Sequence, residues 1–416
     1  MRVLMLTDFY HPVVGGLERH VQLLAETLHT TGHHTEVATL QVPGAHRNEV
    51  INGVRIHRLT GWSWLLRRSY VDPMRPFHPP FTDPGISRQL RRLIQQLQPD
   101  VIHAHSWILY SQLANTTGPP LVVTLHDYGL ICPRKDYLHH GSVCSGPQYR
   151  KCLPCATDQY GALKALALTT GHALAAHRHH RVARYLAVSQ AVADAVVPAL
   201  GRSAPPVEVI PPFILDDLPV RAQAAKRPAF LPAGDYLLYV GALARHKGLP
   251  VLLEAYSRLR HPLPLVLIGT QPGPAHDGLP EGVITVAGVA HEQVLAAFRD
   301  CAIAVAPSVW QEPMPLVAME AGACGAPMIA SDIGGLRDIV AHGQTGLLVP
   351  PGDPVALADA LDRMLADGCL RGRMGTAGRE RSQDFRAAAV VPRIMHAYQS
   401  AAGQACGRLA SGERAG

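Results

Sequence analysis

Two carboxylates eight positions apart, Glu312 and Glu320, stand in the stretch WQEPMPLVAMEA (310–321). Proline lacks the N–H that a helix interior needs, a loss that is harmless only in the first turn, so Pro313 and Pro315 predict a helix beginning near Pro315. Glu312 then lies in the loop ahead of the helix and Glu320 about one and a half turns inside it. The free N–H groups of a helix start favour an anion. The pair therefore suits a ligand with a phosphate in its middle and hydroxyl-bearing groups at both ends. An ordinary surface helix with two unrelated carboxylates meets the same spacing, so the reading needs support from the rest of the chain.

Three other stretches supply it. In GALARHKGLP (241–250), Arg245 and Lys247 precede a predicted helix start, which sets two cations and free N–H groups at one spot and suits a diphosphate; solvated loop charges are the plain alternative. In HPVVGGLERH (11–20), Gly15 and Gly16 permit close backbone approach to a ligand at the mouth of a helix, although two glycines are also an ordinary turn. The spacing is not G-x-G-x-x-G, which weakens a dinucleotide reading. In LVVTLHDY (121–128), His126 ends a predicted strand, where an imidazole can exchange hydrogen bonds with a sugar hydroxyl or serve only the packing.

Four cysteines fall within CPRKDYLHHGSVCSGPQYRKCLPC: Cys132, Cys144, Cys152 and Cys155. The closing C-x2-C admits a structural zinc, but the wider spacings are looser than in common zinc ribbons. Buried free thiols fit equally well, and redox chemistry is a third reading. Because this insertion, spanning about 130–158, follows His126 directly, it is expected to border the acceptor side of a site.

These residues must be positioned by a scaffold, and the periodicity describes one. Short apolar runs (RVLMLT, TEVATL, VRIHRL, DVIHA, LVVTL, a run near 184–188, VEVI) alternate with helical stretches up to about residue 212. That alternation predicts a doubly wound parallel α/β sheet. The segment 213–235 is rich in proline and poorly periodic and reads as an interdomain linker. A second α/β alternation fills 236–385 (YLLYV, PLVLIG, ITVAG, AIAVAPS, PMIASD, TGLLVP), followed by a helix over 386–402 that packs back and a disordered tail over 403–416. Two such domains would turn the carboxyl ends of two sheets toward one cleft, where open α/β sheets bind ligands.

The 416 residues are enough for two cores, and 47% hydrophobic against 17% charged residues excludes a disordered chain. The net charge of +6 comes from arginine-rich stretches such as LLRRSY, RQLRRL and HRHHRVAR. They read first as solvated helix faces and second as a patch for anionic substrate or membrane headgroups. Nucleic acid is disfavoured because no aromatic residues interleave with them. The VLML run at 3–6 is too short for a signal peptide, and no apolar stretch reaches membrane-spanning length. A cytoplasmic protein is expected, with peripheral contact at the inner membrane face if its acceptor is a lipid.

Taken in order, GGLERH, DVIHAHS, TLHD, LAVSQAV, VGALARHKG, the E-x7-E of Glu312 and Glu320, ASDIGGLRDIV and GQTGLLVPPGD resemble the GT-B fold retaining glycosyltransferases of family 4, the group of glycogen synthase-like and phosphatidylinositol mannosyltransferase-like enzymes. The resemblance spans roughly residues 1–400. It implies a cytoplasmic transferase moving a hexose-type sugar from a nucleoside diphosphate donor to a hydroxyl acceptor on a small molecule, lipid or growing glycan. It implies Lys247 neutralising the donor diphosphate, Glu312 on sugar hydroxyls, Glu320 on the ribose, and His126 against the transferred sugar. It also implies the N–H groups of Leu316 and Val317 on the phosphates, Gly15 and Gly16 approaching them, and Met314 and Val289 in the donor pocket, Val289 near the base. No catalytic metal is implied. Two departures stand out: Ala242 replaces the family's usual arginine, and Pro315 a frequent glycine. A nucleotide-sugar 2-epimerase of the same fold and a non-catalytic sugar-nucleotide-binding subunit are the alternatives.

Overall fold

Apolar runs of the first half become strands β1 (Arg2–Thr7), β2 (His34–Leu40), β3 (Asn48–Ile51), β4 (Val54–Leu59), β5 (Val101–Ala104), β6 (Leu121–Leu125), β9 (Arg184–Ala187) and β10 (Val207–Val209), with a short hairpin β7 (Leu138–His139) and β8 (Ser142–Val143) between them. The computed structural model describes residues 1–410 other than Val14, Tyr70, Val71, Pro73, Thr117, Arg202, Ser203 and 270–278. The eight-stranded sheet has the order β10-β9-β6-β5-β1-β2-β4-β3, parallel except for the β3–β4 pair. β1 sits at its centre, with Met5 opposite Val37 on one side and His103 on the other. Leu4, Met5 and Leu6 are all fully buried, as a strand covered on both faces requires.

Helix Gly16–Thr30 buries Val21, Leu24, Ala25 and Leu28, an i, i+3, i+4, i+7 stripe, against the sheet. Helix Pro84–Leu97 starts where Asp83 accepts hydrogen bonds from the N–H groups of Gly85 (2.9 Å) and Ile86 (3.2 Å), with Pro84 in the first turn.

The second half forms β11 (Leu237–Val240), β12 (Leu265–Ile268), β13 (Val283–Val286), β14 (Ile303–Ala306), β15 (Met328–Ser331) and β16 (Gly346–Val349). They make a parallel sheet in the order β13-β12-β11-β14-β15-β16. In each sheet the strand order reverses beside the first strand, between β1 and β5 and between β11 and β14, and loops at the carboxyl ends there are where such sheets hold ligands. The chain divides into two units, Met1–Ile210 with Val391 onward, and Pro211–Val390.

Several expectations need correction. The segment 213–235 is not a free linker: Phe213, Ile214, Leu218, Ala222 and Leu231 are buried, a helix spans Leu218–Ala224, and Ile214 bridges to Arg386 within the second unit. A helix of seven residues between prolines is too short to display periodicity. The C-terminal helix runs Ala387–Ala410, so 403–410 is helical rather than a tail, while 411–416 lies outside the described residues. Between β5 and β6 the helical stretch is only Leu109–Gln112. Helix Gly368–Arg381 escaped the sequence reading because four glycines hide it. Gly375 is one of them, and a Cβ there would stand 2.3 Å from the Gly325 carbonyl oxygen.

Candidate functional site

In the second unit the site is built on the loops that follow β11 and β14. After β11 the chain makes a 3-10 turn at Arg245–Lys247 and enters helix Leu249–Tyr256 through Gly248, whose φ is 79°. A Cβ at Gly248 would lie 1.7 Å from the Pro307 carbonyl oxygen, so only glycine lets the cationic turn seat against the end of β14. The Val309 N–H donates to the His246 carbonyl (3.0 Å) and fixes the two loops together.

The Lys247 ammonium reaches Glu312 there. Its Nζ donates to both carboxylate oxygens at 2.7 and 2.8 Å and lies 5.3 Å from the centre of the Trp310 ring. Glu312 Oε2 also accepts from Ser308 Oγ (3.0 Å) and Trp310 Nε1 (2.8 Å). The Glu312 side chain is 7% exposed and that of Lys247 is 25% exposed, so a buried carboxylate is matched by a cation still open on one side. Its backbone is clamped as well. The Gly335 N–H donates to the Glu312 carbonyl at 2.7 Å, and a Cβ at Gly334 would stand 2.2 Å from that oxygen.

Helix Leu316–Cys324 begins at Pro315, the residue before it in extended conformation, and no side chain caps its N-terminus. Glu320, buried inside this helix, accepts from His291 Nε2 at 2.9 Å, an imidazole at the start of helix His291–Asp300. Val289, Met314, Leu316 and Val317 are all half-buried against one core cluster of this unit. Arg245 is exposed, and Ala242 is half-buried with its carbonyl accepting from Tyr239 Oη at 2.7 Å.

In the first unit, histidines gather at the carboxyl ends of β5 and β6 and on the helix after β1. His126 Nε2 lies 3.0 Å from His105 Nδ1, and the His20 ring centre is 5.0 Å from that of His126. Beneath them the His103 ring sits 3.9 Å from His105 and is pinned at both nitrogens, to Tyr398 Oη at 2.6 Å and Thr124 Oγ1 at 2.7 Å. Burial pushes His20 down to about 4 and His103 to about 3, and holds His105 and His126 well below the ordinary imidazole range. At neutral pH all four are uncharged, so His126 can give or take a hydrogen bond but carries no charge to a ligand. The ligating nitrogens of His20, His105 and His126 lie within 4.8 Å of one another, a spacing that could accept a metal ion. The hydrogen bond between His105 Nδ1 and His126 Nε2 engages one nitrogen on each of two of these rings.

At the mouth of helix Gly16–Thr30, Gly15 leaves room for the Glu18 carboxylate, which would come within 2.2 Å of a Cβ there, and Gly16 faces open space. Burial raises the Glu18 carboxyl above its usual range. Asp8, at the end of β1, accepts from the N–H of Ile108 at 2.8 Å and so ties the β1 and β5 loops together.

The sequence of this chain matches the signature of Glycosyltransferase Family 4 over residues 14–217 and that of the group 1 glycosyl transferases over 222–381. It is 30% identical over 334 residues to a D-inositol 3-phosphate glycosyltransferase of an Arthrobacter species, covering 73% of each chain. The chain belongs to glycosyltransferase family 4. A glycogen synthase of Mycobacterium tuberculosis is 29% identical to this family 4 enzyme, with 96% of this chain and 95% of the relative covered. Its GT-B fold superposes on Anabaena HepE, solved with UDP and glucose, with a TM-score of 0.69 at 18% identity, covering 96% of this chain and all of that one.

Within this glycosyltransferase the structure brings Lys247 to Glu312 directly, where the sequence reading set them on separate loops with separate duties. Ser308, Trp310 and His291 were not anticipated. Nor were His20, His103 and His105, although DVIHAH places two imidazoles two residues apart at a strand end, hence on one face. That period was the available signal.

Cys132, Cys144, Cys152 and Cys155 are free and half-buried around the β7–β8 hairpin and helix Tyr149–Tyr160. Cys152 Sγ accepts from the Gln148 N–H at 3.4 Å, Cys155 Sγ from Arg134 Nη1 at 3.6 Å, and Cys144 Sγ donates to the Gly146 carbonyl at 3.6 Å. A tetrahedral zinc holds its sulfurs about 3.8 Å apart. Among the described residues, the side chains spaced to hold a metal ion are His20, His105 and His126, and these four thiols form no such group. As placed, they do not fit the ion. Burial pushes the Cys132 thiol up to about 11, which keeps it protonated and unreactive.

Proposed function

We propose that the enzyme transfers a hexose-type sugar, with retention of anomeric configuration, from a nucleoside diphosphate donor to a hydroxyl acceptor. The observation that carries this reading is the grouping of Lys247, Glu312 and the uncapped start of helix Leu316–Cys324 within one unit. A phosphate needs a cation and free N–H groups, a sugar needs a carboxylate beside it, and this grouping offers all three.

In this reading the second unit holds the donor. Lys247, with Arg245, balances the charge that develops on the leaving diphosphate, so departure needs no divalent ion. Glu312 accepts from sugar hydroxyls while Lys247 turns part of its charge to the phosphate. Glu320, oriented by His291, accepts from the ribose hydroxyls, the N–H groups of Leu316 and Val317 meet phosphate oxygens, Met314 lines the donor pocket and Val289 lies near the base. In the first unit, Gly15 and Gly16 leave room for a phosphate, and the neutral His126 can exchange hydrogen bonds with a sugar hydroxyl. HepE, with UDP and glucose bound on the same fold, supports a nucleotide-sugar donor.

The test is a panel of UDP-, GDP- and ADP-sugars scored by thermal shift and slow donor hydrolysis, with and without EDTA. The product's anomeric configuration is then read by proton NMR. One donor should raise the melting temperature and release its nucleoside diphosphate in EDTA, and its sugar should keep its configuration on transfer. An inverted product, or turnover that requires added Mg2+ or Mn2+, would overturn the scheme. Donor consumed by change at C2 without any acceptor would favour the epimerase instead.

A further inference from the structure

We propose that the first unit docks on an anionic phospholipid bilayer through a face formed by helix Ala162–Ala175 and the short helix Trp62–Leu65. The longer helix buries Ala165, Leu168, Gly171 and Ala175 on its inner side. Its outer side should be polar on a surface helix, yet it carries Leu163, Leu166 and Leu174 around Thr170 in a single stripe. Leu163 is 87% exposed and Leu174 is 63% exposed. Tyr149, itself exposed, joins the stripe through a 3.0 Å hydrogen bond between its hydroxyl and Thr170 Oγ1.

The second element lies beside the first. Gly171 packs so tightly on Phe81 that a Cβ would lie 2.9 Å from its Cδ1, and the Phe81 ring is 6.1 Å from that of exposed Trp62. Leu65 and Leu66 follow, 72% and 57% exposed. Together the two elements expose five leucines, an indole and a phenol, more than the single scattered apolar residues of an ordinary surface.

Charge identifies the occupant. Arg67 and Arg68 follow Leu66, exposed Lys164 stands next to Leu163 in the chain, and Arg178 and Arg181 follow the helix. Neither 61–69 nor 161–181 contains a carboxylate, the nearest in sequence being Asp72 and Asp158, each three residues away. Leucines to enter the acyl boundary, Trp and Tyr at the headgroup level and cations unopposed by acids are the complement of an anionic lipid surface. No described helix is long and apolar enough to cross a membrane, so the contact is peripheral. Joined to the transferase reading, on which this last step rests, the docking makes the acceptor a lipid-borne hydroxyl.

The test is co-sedimentation of the full chain with phosphatidylcholine vesicles, alone or with about 30 mol% phosphatidylglycerol. Binding should be about tenfold or more tighter to the anionic vesicles and should weaken in high salt. The Leu163→Ser, Leu166→Ser, Leu174→Ser variant should lose about tenfold or more of that binding, and Arg67→Ser, Arg68→Ser should abolish the preference for phosphatidylglycerol. Val220→Ser, an exposed apolar residue of the second unit, should bind like wild type. If the triple variant misfolds, Leu163→Ser alone, at the most exposed position, gives the same reading in smaller measure. Donor hydrolysis is measured without lipid, so a failed docking and a failed transferase reading are told apart. Equal binding by the leucine variants, or no binding by the wild type, would overturn the proposal. So would a wild-type dimer that the triple variant splits, since the face would then be a self-contact.

Discussion

Replacing Lys247 by Met keeps the aliphatic stem of the side chain and removes only its charge, which separates two roles that the Lys247–Glu312 pair combines. Losing one partner of a buried ion pair costs about 3–5 kcal/mol when the other charge is left stranded. Here the Lys247 side chain is 25% exposed and Glu312 keeps donors from Ser308 and Trp310. The cost should therefore fall to about 2–3 kcal/mol. For a unit of about 180 residues that is a fall of about 4–12 °C in melting temperature. Turnover should fall about 10²-fold or more, the scale for one lost contact to transition-state charge. Lys247→Met, Glu312→Gln removes the stranded charge and should regain most of the stability and none of the activity. Differential scanning calorimetry and initial donor-hydrolysis rates on both variants check this. A double variant no more stable than the single one would refute the buried-pair argument, and wild-type turnover in a folded Lys247→Met would remove Lys247 from the reaction.

Two further outcomes follow from the site and its surroundings. Arg245→Ala should lower turnover about tenfold or more if Arg245 supplies the second cation that Ala242 does not, and Ala242→Arg, Arg245→Ala should recover part of it; unchanged donor affinity and turnover in Arg245→Ala would end that idea. Acid should weaken the first unit selectively: burial holds His20 and His179 at about 4 and His103 and His172 at about 3, while unfolded imidazoles take up protons below about 6.5. The unfolded state then binds more protons, so this stability is fully present above 6.5 and is lost as pH falls. Each histidine contributes a loss of about 1.4 kcal/mol at pH 5.5, about 6 kcal/mol together. A calorimetric transition of the first unit that stays at the same temperature from about pH 7.5 to about 5.5 would contradict it.

Local rules made much of the scaffold legible. The strands follow from apolar runs, and the start of helix Leu316–Cys324 follows from Pro315, because each depends on neighbours in sequence. The partners inside the site do not. Lys247 and Glu312 are 65 residues apart and His291 and Glu320 are 29 apart, and nothing in either spacing says which cation meets which carboxylate. Gly334 and Gly335 announce a turn but not that the turn grips the Glu312 backbone. The histidine cluster needed the helix after β1 and the ends of β5 and β6 to be brought side by side, which only the sheet order supplies. In 213–235 and 368–381, prolines and glycines read as breakers because their packing partners lie far away in sequence.

The chain leaves the first unit at Ile210 and re-enters it at Val391. Between those points a ribosome adds the whole second unit, on the order of 10–40 s of synthesis. Throughout that interval the hydroxyl of Tyr398, one of the two groups that hold the buried His103 ring, does not yet exist. The second unit, continuous in sequence, can therefore mature while the first still waits for its last helix. A nascent chain halted in that window exposes an unfinished wall beside His103 and His105, the state in which it most needs a chaperone.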